Sequence, residues 1–125
     1  MSGDANGSGP TAAVCVITYR RPEFVRTCLT HLAGQTRAPE QILVVDASPD
    51  RLTRDVVAGF PGVRYLHSDA GPGTMATSRA MALAASTQDV LVFLDDDANA
   101  DADWLEWLLV PYADAGVAAV GGRAR

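Results

Sequence analysis

Residues 90–97 read Val-Leu-Val-Phe-Leu-Asp-Asp-Asp, five apolar side chains followed at once by three carboxylates. A continuously apolar run this short predicts a strand over Val90–Leu94 covered on both faces, because a half-exposed strand would alternate polar and apolar residues. The acids then mark its carboxyl end. Upstream, Ala12–Thr18 (Ala-Ala-Val-Cys-Val-Ile-Thr) has the same apolar continuity and adds β-branched residues. Gln41–Val45 predicts a further strand, and Val63–His67 a weaker one.

The segments between these strands read as helices. Pro22 sits where a first helical turn accepts proline. Phe24, Val25, Cys28, Leu29 and Leu32 follow at one-face spacing, and Gly34 closes the element. Leu52, Val56, Val57 and Phe60 mark a short helix ended by Pro61-Gly62. Gly71-Pro72-Gly73 opens a helix carrying Met75, Ala76, Ala80, Leu83 and Ala84. Asp103 and Glu106 have the spacing of a capping box ahead of Leu105, Leu108 and Leu109, and Pro111 is expected to end or kink that helix. Val117–Val120 is the expected fifth strand, and Met1–Pro10 an expected disordered leader.

Strict alternation of strand and helix predicts the α/β class: a Rossmann-like, mostly parallel sheet flanked by helices, forming one domain over residues 11–125. In such sheets ligands bind beyond the carboxyl ends of the strands, where the strand order reverses. Chemistry is therefore sought at the strand ends.

Composition narrows the chemistry. The chain has 125 residues, 48% of them hydrophobic and 6% aromatic, enough for a core of aliphatic side chains without disulfides or a structural metal. The net charge of -5 argues against a nucleic-acid partner, which requires a basic face. All ten basic residues are Arg. The absence of Lys excludes a phosphate-binding P-loop and a Schiff-base mechanism, and it removes the lysine a phosphoacceptor receiver domain would use. Cys15 and Cys28 lie on apolar stripes and read as buried thiols in a reducing compartment. With His31 and His67 they lack zinc-ligand spacing. No run approaches the roughly 18 apolar residues of a membrane span, so the expected location is cytoplasmic, with the inner membrane face open.

At the strand ends stand Thr18-Tyr19-Arg20-Arg21, then Asp46-Ala47-Ser48-Pro49-Asp50, then Asp95-Asp96-Asp97. Asp46 alone could be a turn residue. Three adjacent carboxylates beside an apolar strand repel one another, and a hard divalent cation such as Mg²⁺ or Mn²⁺ would offset that repulsion, using one or two carboxylates plus phosphate oxygens. Arg79, among Ala, Ser, Thr and Met, is either a surface arginine or a guanidinium held for a diphosphate, which suits its planar donor fork.

Two stretches carry a family resemblance. Residues 14–50, VCVITYRRPEFVRTCLTHLAGQTRAPEQILVVDASPD, resemble the opening of family 2-like glycosyltransferases of the GT-A fold: a strand ending in Thr-Tyr, a downstream Gln-Thr, and a second strand ending in Val-Val-Asp. Residues 71–98, GPGTMATSRAMALAASTQDVLVFLDDDA, are similar to that family's glycine-to-arginine helix and DXD signature. The resemblance runs from about Ala12 to Gly122.

The resemblance implies transfer of a sugar from a nucleotide-diphosphate sugar to an acceptor hydroxyl. It implies that Thr18, Tyr19 and Arg20 lie at the nucleotide, with Asp46 bonding the base and Arg79 holding the nucleotide end. Asp95 and Asp96 would reach ribose or sugar hydroxyls, and Asp97, with Asp95, would bind Mn²⁺ or Mg²⁺. Two positions depart from the family pattern: Ala47 replaces a second Asp or Asn, and Ser78-Arg79-Ala80 replaces Ala-Arg-Asn. Members are usually longer, and the acceptor site and acceptor-activating base belong to their second half. Glu106, Asp114, Asp101 and Asp103 read as surface, turn and capping residues, so no catalytic base is assigned. The chain is expected to be the donor-binding half of such an enzyme, self-associating or completed by another chain. The alternative is a module or remnant that binds nucleotide-sugar and metal without transferring.

Overall fold

The computed structural model describes residues 10–69, 75–110 and, as backbone, 120–121. The order is β1 (Ala12–Thr18), α1 (Pro22–Ala33), β2 (Gln41–Asp46), α2 (Leu52–Ala58), β3 (Val63–His67), α3 (Met75–Ala85), β4 (Val90–Asp95), α4 (Trp104–Leu109) and β5 (Val120–Gly121). All pairs in the sheet are parallel, in spatial order β3-β2-β1-β4-β5. The α/β, Rossmann-like expectation holds. The chain builds outward from β1 to β3, then crosses back over β1 to lay down β4, so the order reverses between β1 and β4.

That reversal sets the layers. Successive right-handed crossovers in one direction place α1 and α2 on one face; the crossover back places α3 on the other. Alternation along β1 divides its side chains accordingly. Ala12, Val14 and Val16 pack with Val25, Cys28 and Leu29 of α1, Val56 and Val57 of α2, and Leu105 and Leu109 of α4. Ala13 and Cys15 pack with Ala82 of α3, alongside Leu43, Val45 and Leu91. A central strand covered on both sides has no polar face to show, hence its unbroken apolar sequence. Among the described residues β3 is paired on one side only, to β2, and none of its residues is fully buried. Its weaker sequence signal is that of a sheet edge.

Several local expectations need correction. Gly34 closes α1, but at φ -97 rather than in the left-handed region; its N–H bonds the His31 carbonyl, and the Gln35 N–H bonds the Leu32 carbonyl. α2 stops at Ala58, so Phe60 packs on the core from outside the helix. The apolar residues noted on α3 mostly point outward: Met75, Ala76, Ala80, Leu83 and Ala84 are exposed, and the helix buries Ser78 and Ala82. A helix with alanine all round carries little amphipathic signal, and its small residues let it lie close to the sheet. The capping box before α4 does not form, because Asp103 caps nothing with its side chain. Its carboxylate accepts the indole N–H of Trp107, and Glu106 accepts the Thr36 hydroxyl.

The cap comes instead from a residue 70 positions away, Gln35. Its side-chain oxygen accepts the Leu105 N–H at 3.0 Å, and its amide donates to the carbonyls of Asp101 at 2.6 Å and His31 at 3.3 Å. The Thr36 N–H adds a bond to the Ala102 carbonyl at 2.7 Å. The Gln-Thr pair of the α1–β2 loop thus ties down the segment that leads out of the Asp triplet. The leader up to Gly9, the Gly71-Pro72-Gly73 opening, Pro111, Asp114 and most of Val117–Val120 lie outside the described residues. Among the described residues, no helix is long and apolar enough to cross a membrane.

Cys15 and Cys28 are free and buried. Burial pushes each thiol up from 9.0 to about 12, and the nearby carboxylates of Asp96, Asp97 and Asp95 add to the effect at Cys28. A raised folded pKa means that the unfolded chain releases the proton first. Stability is therefore complete below pH 9 and declines from there towards 12, by about 1.4 kcal/mol per pH unit for each thiol. Urea unfolding at pH 8, 9 and 10 checks this. Cys28→Ala should flatten the alkaline decline, and an unchanged slope would show that other groups carry it.

Candidate functional site

A cleft of about 280 Å³ opens at the carboxyl ends of β1 and β4, where the strand order reverses. This is the position at which parallel α/β sheets bind ligands, and the volume is at the lower end for small-molecule sites. Its floor is Cys15 and Ile17 of β1 and Phe93 of β4; Arg21, Arg79 and the acids Asp95, Asp96 and Asp97 line its walls. Four expected residues therefore meet in one place: Arg79, Asp95, Asp96 and Asp97.

The three carboxylates are not equivalent. Ile17 pairs with Asp95 across β1 and β4, and Asp95 continues the side of the strand that carries Phe93. Asp95 and Asp97 are exposed, and neither side chain has a hydrogen-bond or ion-pair partner among the described residues. Asp96 turns back towards α1 and is buried. One oxygen accepts the Thr18 hydroxyl at 2.9 Å; the other faces the Arg21 guanidinium at 3.3 Å. The triplet thus comprises one carboxylate held by the protein and two facing solvent.

Arg79 is exposed on α3, with its guanidinium over the Phe93 ring at 5.6 Å from the centroid. Its donor fork has no hydrogen-bond partner among the described residues. Arg21 enters from the opposite face and stacks on Phe24 at 5.3 Å. Phe24, expected on the buried stripe of α1, is 51% exposed, and this stacking accounts for its position.

The remaining expected residues form a second network beside the cleft. Asp46 is fully buried, its oxygens accepting the Ser48 N–H at 2.9 Å and the Tyr65 hydroxyl at 2.7 Å. Thr18, Asp46 and His67 stand in register across β1, β2 and β3. Asp46 shares the side of β2 that carries Val44, which packs with α1 and α2, whereas the cleft floor belongs to the α3 side. Strand parity thus separates Asp46 from the cleft. Ser48 joins the strand ends, accepting the Arg20 N–H at 2.6 Å on its hydroxyl and meeting His67 Nε2 at 2.9 Å with its carbonyl. Arg20 sits at φ 55, a left-handed conformation that non-glycine residues adopt rarely and that clusters at functional turns. Its side chain bonds the Tyr19 hydroxyl at 3.1 Å.

Sequence reasoning missed Arg21, Ser48, Tyr65 and Phe93 as parts of the site. Arg21 and Ser48 stood within the strand-end stretches already singled out. Tyr65 was detectable only through the parallel register that sets it beside Val44. Burial and donation to Asp46 push the Tyr65 phenol up from its usual range. Tyr65→Phe removes one of the two bonds holding a buried carboxylate and is expected to cost about 2 kcal/mol in urea unfolding. A loss under about 0.5 kcal/mol would mean that water replaces the hydroxyl.

As a test of metal fit, the described residues hold no group of three or more His, Cys, Asp or Glu arranged to enclose a cation. Two free carboxylates on an open cleft instead fit a hard divalent ion that takes the rest of its oxygens from phosphate and water.

The glycosyl transferase family 2 model matches residues 13–125. The succinoglycan biosynthesis protein ExoM of Rhizobium meliloti is 36% identical over 118 residues, covering 88% of this chain and 37% of its own length. The mannosyltransferase PcManGT of Pyrobaculum calidifontis, solved with GDP-Man and Mn²⁺, superposes with a TM-score of 0.67 at 24% identity, over 84% of this chain and 34% of that one. Glucosyl-3-phosphoglycerate synthase of Mycobacterium tuberculosis, solved with Mn²⁺, UDP and glucosyl-3-phosphoglycerate, gives 0.69 at 21% identity, over 85% and 40%. At these identities the two structures speak to the fold alone. The chain thus spans little over a third of the length of the relatives it matches. By its matched sequence, its strand order and the cleft at the reversal point, the chain belongs to glycosyl transferase family 2.

Proposed function

We propose that this chain is the donor-binding portion of a glycosyltransferase, holding a nucleotide-diphosphate sugar for transfer to an acceptor hydroxyl. The observation that carries the reading is the convergence on one cleft, at the β1–β4 reversal, of two carboxylates and a guanidinium that have no hydrogen-bond or ion-pair partner among the described residues. An anionic ligand would not bind beside Asp95 and Asp97 alone. Asp95 and Asp97 would hold a divalent cation, and the cation together with Arg79 would supply the positive charge that a diphosphate needs.

In this reading Asp97, with Asp95, holds Mn²⁺ or Mg²⁺, and the ion supplies neutralisation of the charge that develops on the departing diphosphate. Arg79 orients the phosphates through its fork. Asp96 offers an oxygen to a ribose or sugar hydroxyl. Thr18, Tyr19 and Arg20 shape the nucleotide side. Asp46 acts through Ser48 and Tyr65, holding the base wall rather than touching the base. Transfer joins the acceptor oxygen to the anomeric carbon while the bond from that carbon to the diphosphate oxygen breaks, its electron pair leaving with the nucleoside diphosphate. The acceptor proton goes to a base that none of the described residues is assigned to provide.

Calorimetric titration with UDP, GDP and dTDP, each with and without Mn²⁺, tests the donor site. Metal-dependent binding of one of them supports the reading and identifies the base. A folded sample that binds none of the three would sink it.

A further inference from the structure

Arg21 is the cleft residue for which neither the sequence nor the family match supplies a role. It caps α1 immediately after the left-handed turn at Arg20, with Pro22 fixing the first helical position. The turn brings its side chain into the cleft. Its guanidinium lies over Phe24, and its one ion-pair partner among the described residues is Asp96, at 3.3 Å. That distance exceeds the 2.7–2.9 Å usual for charge-assisted bonds. The Arg21 side chain is 49% exposed, so water screens the pair, and screened pairs of this kind contribute little. Asp96, in contrast, is held firmly from its other side by the Thr18 hydroxyl at 2.9 Å.

Two guanidiniums therefore face this cleft from opposite faces of the sheet, each resting on a phenylalanine: Arg79 over Phe93 and Arg21 over Phe24. One is free and the other is loosely paired. A phosphate group offers a planar fork two acceptors in place of one, together with a larger charge.

We infer that Arg21 is a second diphosphate-positioning residue, which exchanges Asp96 for the phosphate when the donor binds. This rests on the donor-site reading above and extends it. The exchange does two things at once. It closes the diphosphate between two arginines, and it releases the Asp96 oxygen that Arg21 occupied, making that oxygen available to a ligand hydroxyl. Asp96 stays in place because Thr18 still holds it. Diphosphate binding and hydroxyl recognition are coupled through one side chain.

The coupling predicts a preference that a purely structural Arg21 would not produce. The test uses the 125-residue chain with Mn²⁺ and compares UDP with UMP, and GDP with GMP, in calorimetric titrations of wild type, Arg21→Gln and Arg21→Lys. Arg21→Gln should weaken the diphosphate by about tenfold to a hundredfold while changing the monophosphate by less than about threefold. Arg21→Lys keeps the charge without the fork and should recover part of the loss. It also serves if the glutamine variant does not fold, which far-UV circular dichroism will show. Equal diphosphate-to-monophosphate ratios in wild type and both variants would overturn the role of Arg21 and leave the donor site standing. Failure of the folded wild type to bind any of the four nucleotides would overturn both.

Discussion

Asp97→Asn is expected to abolish the metal-dependent part of nucleotide binding while leaving the fold untouched. Asp97 is exposed and has no protein partner among the described residues, so its carboxylate supports no packing or hydrogen bond that the amide would lose. It stands beside two other carboxylates, and removing one of three adjacent like charges relieves repulsion. The apparent melting temperature without ligand should be unchanged or slightly higher. A divalent ion bound through one or two carboxylates has few protein ligands to spare. Substitutions that only support a metal's ligands already cost 10- to 100-fold in affinity, so loss of a direct one is expected to cost about a hundredfold or more. The measurement is titration of UDP and GDP with and without Mn²⁺ on wild type, Asp97→Asn and Asp55→Asn, the last a carboxylate on α2 that does not line the cleft. Metal-dependent affinity equal to wild type in Asp97→Asn would remove this residue from the metal site. A variant that lost stability as well would show that the carboxylate has a structural partner.

The second large effect is on stability. Gln35→Ala leaves the buried Leu105 N–H without its acceptor and the Asp101 carbonyl without the amide at 2.6 Å. The first loss resembles deletion of a helix cap, about 1 kcal/mol, and a buried group left unsatisfied adds about 1–3 kcal/mol. A total near 3 kcal/mol is expected from urea unfolding, a large part of the stability of a domain this size. Thr36→Ala is the comparison, because its hydroxyl bond to Glu106 is exposed and should be worth under about 1 kcal/mol. α4 and the segment after the Asp triplet depend on Gln35 for their attachment, so ligand affinity should fall with stability. A Gln35→Ala variant within about 0.5 kcal/mol of wild type would mean that another group caps α4.

The two predictions separate what the site requires. Asp97→Asn is expected to change ligand affinity and not stability; Gln35→Ala is expected to change stability and, through it, affinity. Arg21 lies between these cases: under the exchange proposed above, its loose contact with Asp96 gives way when a diphosphate binds.

What the sequence determined by itself was the partition between core and solvent. Apolar continuity in Ala12–Thr18 and Val90–Leu94 marked strands covered on both faces, and alternation with helical stripes specified a parallel sheet. From that alone the carboxyl ends follow as the place for chemistry, and the Asp triplet and Arg79 do meet there. These features are legible because burial imposes a local period of two or about 3.6 residues, and a period is written along the chain. The tertiary structure decided which polar groups are free. Asp46 and Asp95 look alike in sequence, each closing an apolar strand, yet one is buried under Tyr65 and Ser48 while the other faces the cleft. The hydroxyl that holds Asp46 comes from Tyr65, 19 positions away, and the one that holds Asp96 comes from Thr18, 78 positions away. Such contacts depend on strand order, register and side-chain parity, which local hydrophobicity does not encode. The same holds for Gln35, whose partners on α4 become neighbours only when α1 and α4 pack on the same face of the sheet.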